Sequence, residues 1–93
     1  MEDLAKLRKE IDAADKKLLE ALKERFDVCI RIAQWKKKEG IEITDSSREN
    51  LMIQKRTEQF ASLGFNDLEF IKKIYSSILD KSKQIQKEVQ EEN

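Results

Sequence analysis

Residues 3–40, DLAKLRKEIDAADKKLLEALKERFDVCIRIAQWKKKEG, decide the fold. Apolar side chains recur at Leu4, Leu7, Ile11, Ala14, Leu18, Leu22, Cys29 and Ile32, in steps of three and four that share one helical face. No proline interrupts the run, and Gly40, free to take a left-handed cap, is suited to stop it. The pattern predicts one helix from about Asp3 to Glu39. At 1.5 Å per residue it is about 55 Å long, whereas a globule of this mass is about 30 Å across. Such a helix overhangs any compact monomer, and a periodic helix well past about 25 residues points to an intersubunit arrangement. A homodimer is therefore expected.

Outward from this helix, Ile41-Glu42-Ile43-Thr44 alternates like a strand but has no partner strand, so it reads as an extended connector. Asp45-Ser46-Ser47 opens a second helix, predicted over about 47–62 and stopped near Gly64; Ser46 and Glu49 have capping-box spacing. Asn66 and Glu69 repeat that signal for a third helix over about 67–90, with an apolar stripe of Leu68, Ile71, Tyr75, Ile78, Ile85 and Val89. The expected fold class is all-α, one long and two shorter helices per chain, in a single domain spanning 1–93.

Composition narrows the function. The chain has 93 residues, 41% of them charged, with 19 Lys and Arg balancing 19 Asp and Glu. Zero net charge argues against a generic nucleic-acid or anionic-membrane binder, which needs a basic excess. No apolar run approaches a membrane span. Met1-Glu2-Asp3 does not open a basic segment followed by an apolar one, and the expectation is a cytoplasmic protein. One cysteine, Cys29, rules out an internal disulfide and reads as a small buried apolar residue. With one cysteine and no histidine, zinc sites, Cys–His pairs and Ser–His–Asp arrangements are excluded. Trp35 and Tyr75 read as core or dimer packing rather than base-stacking platforms.

The seam 8, 11, 15, 18, 22, 25, 29, 32, 36 of the first helix holds the anomaly. Among its apolar residues stand Arg8, Arg25 and Lys36. An unpaired buried charge costs several kcal/mol, so something anionic should meet them. They either pair with carboxylates across a dimer seam and snorkel to water, or they bind an anionic ligand. Arg25 and Lys36 lie about 16 Å apart along the axis, a span that two long side chains can bracket; Arg8 lies about 25 Å from Arg25 and reaches the same ligand only from a partner chain. Ser82 interrupts the third helix's stripe and forms an i, i+4 pair with Gln86; the two either satisfy each other or a backbone carbonyl, or face a ligand. Asp45, Arg48 and Glu49 crowd the start of the second helix, where carboxylates are favoured by the dipole whether or not they touch a ligand.

Leu7-Arg8-Lys9-Glu10-Ile11-Asp12, then Asp15 and Leu18-Leu19, resembles the opening helix of the all-helical chorismate mutases. Glu24-Arg25, Lys36, Asp45, Arg48-Glu49, Ser82 and Gln86 are similar, in order and spacing, to that family's active-site series. The resemblance covers Leu4 to about Gln90 and implies an intertwined homodimer with two active sites and no further domain. It implies that Arg25 and the partner's Arg8 hold the two carboxylates of chorismate. Lys36 would contact a carboxylate and the ether oxygen, to which Gln86 also donates. Glu49 and the backbone near Asp45 would take the ring hydroxyl, with Arg48 in support and Ser82 beside a carboxylate. Trp35 stands where the resemblance calls for a smaller residue.

The implied reaction, rearrangement of chorismate to prephenate, needs no nucleophile, metal or cofactor. It needs a folded substrate conformer and donors where charge grows on the breaking C–O bond. Two rivals stay open at this level. An isochorismate-pyruvate lyase shares the cationic clamp, although the Arg48-Glu49 pair suits a 4-hydroxyl. A non-catalytic helical dimer would use the seam charges for pairing alone.

Overall fold

The computed structural model describes residues 3–42 and 46–92. It contains three helices: α1, Leu4–Glu39; α2, Ser46–Ser62; and α3, Leu68–Glu91. The ends follow from local chemistry. Asp3 caps α1, its carboxylate accepting from the Lys6 amide at 2.8 Å. At the other end Gly40 takes φ 72°, the Gly40 amide donates to the Lys37 carbonyl, and the Ile41 amide donates to that of Lys36. This is the paired-bond left-handed cap that a glycine permits. Among the described residues no atom lies within 4 Å of where a β-carbon would sit, so backbone strain sets the cost of a side chain. Gly40→Ala is expected to destabilise the fold by about 1–2 kcal/mol in denaturant titration, and an unchanged midpoint would show that the cap contributes nothing.

The same device ends α2. Gly64 (φ 89°) donates to the Ala61 carbonyl and Phe65 to that of Phe60. The Phe60 and Phe65 rings stack at 4.7 Å, and Phe70 lies 5.8 Å from Phe65. The apolar contact across the cap turns the chain back on itself. The cap of α3 is Asp67, which accepts from the Phe70 amide at 3.1 Å, one residue later than the Asn66 expected from spacing. Both residue types cap well, so the turn left by Gly64 makes the choice. Residues 43–45 and the Ser46 side chain, and with it the proposed Ser46–Glu49 capping box, lie outside what is described.

Helix α3 is central and packs on both α1 and α2, while α1 and α2 meet only through side chains. Its buried line is Ile71, Leu79, Ser82, Gln86 and Val89. That corrects the expected stripe: Leu68 is exposed, Tyr75, Ile78 and Ile85 are half-buried, and the two polar residues lie deeper than their apolar neighbours. The α1 side contributes Cys29 and Ala33. Near the C-terminus, Lys37 of α1 donates to the Val89 carbonyl at 3.2 Å and to that of Glu92, while Gln90 donates to the Ala33 carbonyl. Lys37 therefore caps α3 as well as ending its own helix. Trp35 is 55% exposed and belongs to no core within the chain.

The molecule measures 59 × 27 × 16 Å, with a radius of gyration of 16.8 Å, where a compact chain of this length would have about 12 Å. The excess comes from the N-terminal half of α1, whose Ile11 and Leu18 are 59% and 58% exposed. Accessible surface is 7698 Å², against about 5,600 Å² for a compact monomer of this mass. Among the described residues no helix is long and apolar enough to cross a membrane.

Candidate active site

The three helices converge on a cleft of about 410 Å³, within the size range of small-molecule sites. Helical spacing supplies each wall. Arg25, Cys29, Ile32 and Lys36 come from α1, Arg48, Glu49, Met52 and Arg56 from α2, and Leu79, Ser82, Lys83 and Gln86 from α3. Five of the lining residues are cations and two, Glu24 and Glu49, are carboxylates. A chain of zero net charge has thus concentrated positive charge in one concavity. Walls of low dielectric strengthen such a field, which suits a small polyanion.

Arg25 is held by neutral atoms. One guanidinium nitrogen donates to Ser82 Oγ at 2.6 Å and lies 3.8 Å from Cys29 Sγ; the other is 3.4 Å from Met52 Sδ. Among the described residues it meets no carboxylate. Sulfur is a weak acceptor, so this half-buried cation is positioned with little of its charge offset. Ser82 Oγ in turn donates to the Ile78 carbonyl at 2.8 Å, which orients its lone pairs toward Arg25. The reading in which Ser82 satisfies a backbone carbonyl is met, but it is not a partner of Gln86. The Gln86 side chain is buried, and its Oε1 has no partner among the described residues.

Glu49 faces Lys83 across the cleft, with Nζ 3.5 Å from Oε1, and Lys83 also lies 3.8 Å from Asp80. Of the eight residues singled out from sequence, the structure brings Arg25, Lys36, Arg48, Glu49, Ser82 and Gln86 to this one cleft. Arg8 is exposed on the overhanging half of α1 and is not part of it, and Asp45 lies outside the described residues. Sequence reasoning missed Arg56 and Lys83. Arg56 continues the face of Arg48, Glu49 and Met52 in four-residue steps, a visible signal; Lys83 announces itself only through Glu49, on another helix.

A family model described as chorismate mutase type II matches residues 7–87, which contain all three cleft walls. The chain belongs to the chorismate mutase type II family. A chorismate mutase from Methanocaldococcus jannaschii is 33% identical over 92 residues, covering 99% of this chain and 92% of the relative. A 4-amino-4-deoxychorismate mutase from Streptomyces venezuelae is 31% identical over 77 residues, covering 83% and 74%. Another 4-amino-4-deoxychorismate mutase, from Streptomyces pristinaespiralis, is 27% identical over 82 residues, covering 88% and 63%. No solved structure gives a significant match. Chorismate mutases are isomerases, and this family member has their all-helical architecture.

Proposed function

We propose that the chain converts chorismate to prephenate, a step of aromatic amino-acid biosynthesis, as a homodimer in the cytoplasm. The observation that carries this is a cleft lined by five cations, one of them an Arg25 that no described carboxylate meets, in a member of a mutase family. Chorismate presents two carboxylates, and binding them fixes the compact conformer in which the reacting carbons approach. Orientation of this kind supplies much of the acceleration in a unimolecular rearrangement. Arg25, steadied by Ser82, takes one carboxylate, and Arg8 of the partner chain takes the other. Lys36 and Gln86 donate to the ether oxygen, where negative charge grows as the C–O bond breaks; a preformed donor there costs no reorganisation during reaction. The ring hydroxyl lies against Glu49 and the backbone near Asp45, with Arg48 beside them. No covalent intermediate and no cofactor is involved.

The uncovered apolar face of α1, which carries Ile11 and Leu18, supports the dimer. Two of the relatives are named for 4-amino-4-deoxychorismate, which has an amine where chorismate has the 4-hydroxyl. That compound is the second reading of the substrate. Following loss of chorismate absorbance, with prephenate confirmed by acid conversion to phenylpyruvate, tests the activity directly.

Subunit complementation tests the shared site. Arg8→Ala and Lys36→Ala proteins, each nearly inactive alone, should recover about a quarter of wild-type activity when unfolded together and refolded at equal amounts. Half of the randomly assembled dimers are then mixed, and each mixed dimer carries one intact site of two. Full activity of Arg8→Ala by itself would remove the partner arginine from the site.

A further inference from the structure

Lys83 lies in the cleft one residue beyond Ser82, its ammonium 3.5 Å from the Glu49 carboxylate, and neither the sequence reading nor the family resemblance gives it a role. We propose that Lys83 is a specificity residue that favours a neutral ring substituent over a cationic one. The inference rests on the proposed placement of the substrate's 4-substituent at Glu49. A hydroxyl there is neutral and donates one hydrogen bond. An amine at the same carbon is an ordinary primary amine and carries a positive charge near pH 7, as lysine does. Glu49 by itself would attract that ammonium more strongly than the hydroxyl. With Lys83 alongside, part of the carboxylate's charge is already engaged, and an incoming ammonium meets a like charge within a few ångströms. The pair therefore offers an acceptor while withholding a free anionic site, which is discrimination by repulsion.

Burial sets the size of the effect. The side chains of Lys83 and Glu49 are 37% and 23% exposed, so water weakens the interaction without abolishing it. The other cations of the cleft, Arg48 and Arg56 among them, add to the same field, but Lys83 alone is in direct contact with Glu49 among the described ion pairs. Asp80, 3.8 Å from Lys83, is strongly exposed and draws little of its charge away.

The experiment compares kcat/KM for chorismate and for 4-amino-4-deoxychorismate in wild-type protein, in Lys83→Met, which keeps the length of the side chain, and in Lys83→Arg, which keeps the charge. The preference for chorismate should fall about tenfold in Lys83→Met and stay within about twofold in Lys83→Arg. In unmutated protein it should also shrink as ionic strength rises, because the discrimination is electrostatic. A Lys83→Met preference equal to wild type overturns the assignment. So does a Lys83→Arg preference that falls as far as that of Lys83→Met, because the charge is then not what discriminates. Folded wild-type protein that turns over neither compound refutes the proposed activity. The ratio of dissociation constants for the same two compounds then passes judgement on Lys83 by the same criterion.

Discussion

Replacing Lys36 with alanine is expected to lower kcat about 10²- to 10³-fold, the loss seen when one preorganised donor to a developing oxyanion is removed. The side chain lines the cleft from the last turn of α1, on the same face as Arg25, and is half-buried. In the proposed arrangement its ammonium meets charge that is small in bound chorismate and larger at the transition state. An interaction that strengthens along the reaction lowers the barrier, so the deficit should fall mainly on kcat, with a smaller rise in KM from the lost carboxylate contact. Structural damage is a poor alternative explanation, because alanine is the better helix former and the cap at Gly40 uses backbone atoms alone. Steady-state kinetics with chorismate settles the point. Near-normal turnover by folded Lys36→Ala protein would defeat both the assignment of Lys36 and the electrostatic account of the rearrangement. The non-catalytic alternative makes the opposite forecast, in which the substitution disturbs dimerisation.

Ile71→Ala should produce the largest loss of stability, about 2–5 kcal/mol. Ile71 is 1% exposed, the one large side chain among the described residues to be fully buried. It sits where α3 begins, beside Thr57, Ala61 and Phe65, and so joins α3 to α2 just past the aromatic turn. Within the chain few apolar side chains are buried, so a cavity here removes much of what holds α2 in place. A fall in melting temperature of more than about 10 °C is expected, measured at fixed protein concentration because association contributes to stability. A shift of a degree or two would mean that α2 is held chiefly by a partner chain. Since α2 carries Arg48 and Glu49, the variant should also lose activity below its melting temperature.

What could be read from the chain was whatever neighbouring residues decide. The start of α1 at Asp3, its end at Gly40 and the stop at Gly64 depend on side chains and backbone bonds within a turn. The seam of Arg25, Cys29, Ile32 and Lys36 follows from helical period alone, and these four do line one wall. The α3 cap was misplaced by one residue because Asn66 and Asp67 are both good caps and only the path out of the preceding turn separates them. The α3 stripe was misjudged for a different reason. Period marks which residues share a face, and it does turn Ser82 and Gln86 inward; how deeply each member of the stripe is covered depends on where α1 and α2 lie against it.

Three helices, most of their ends and a line of cations on the longest of them are legible in the chain, since propensity, capping and period act over one or two turns. Helix packing added what that spacing lacks: it drew Arg56 and Lys83 into the cleft and set Lys83 against Glu49. Those outcomes depend on how three helices pack, and contacts between separate helices carry no signature in the local spacing of either.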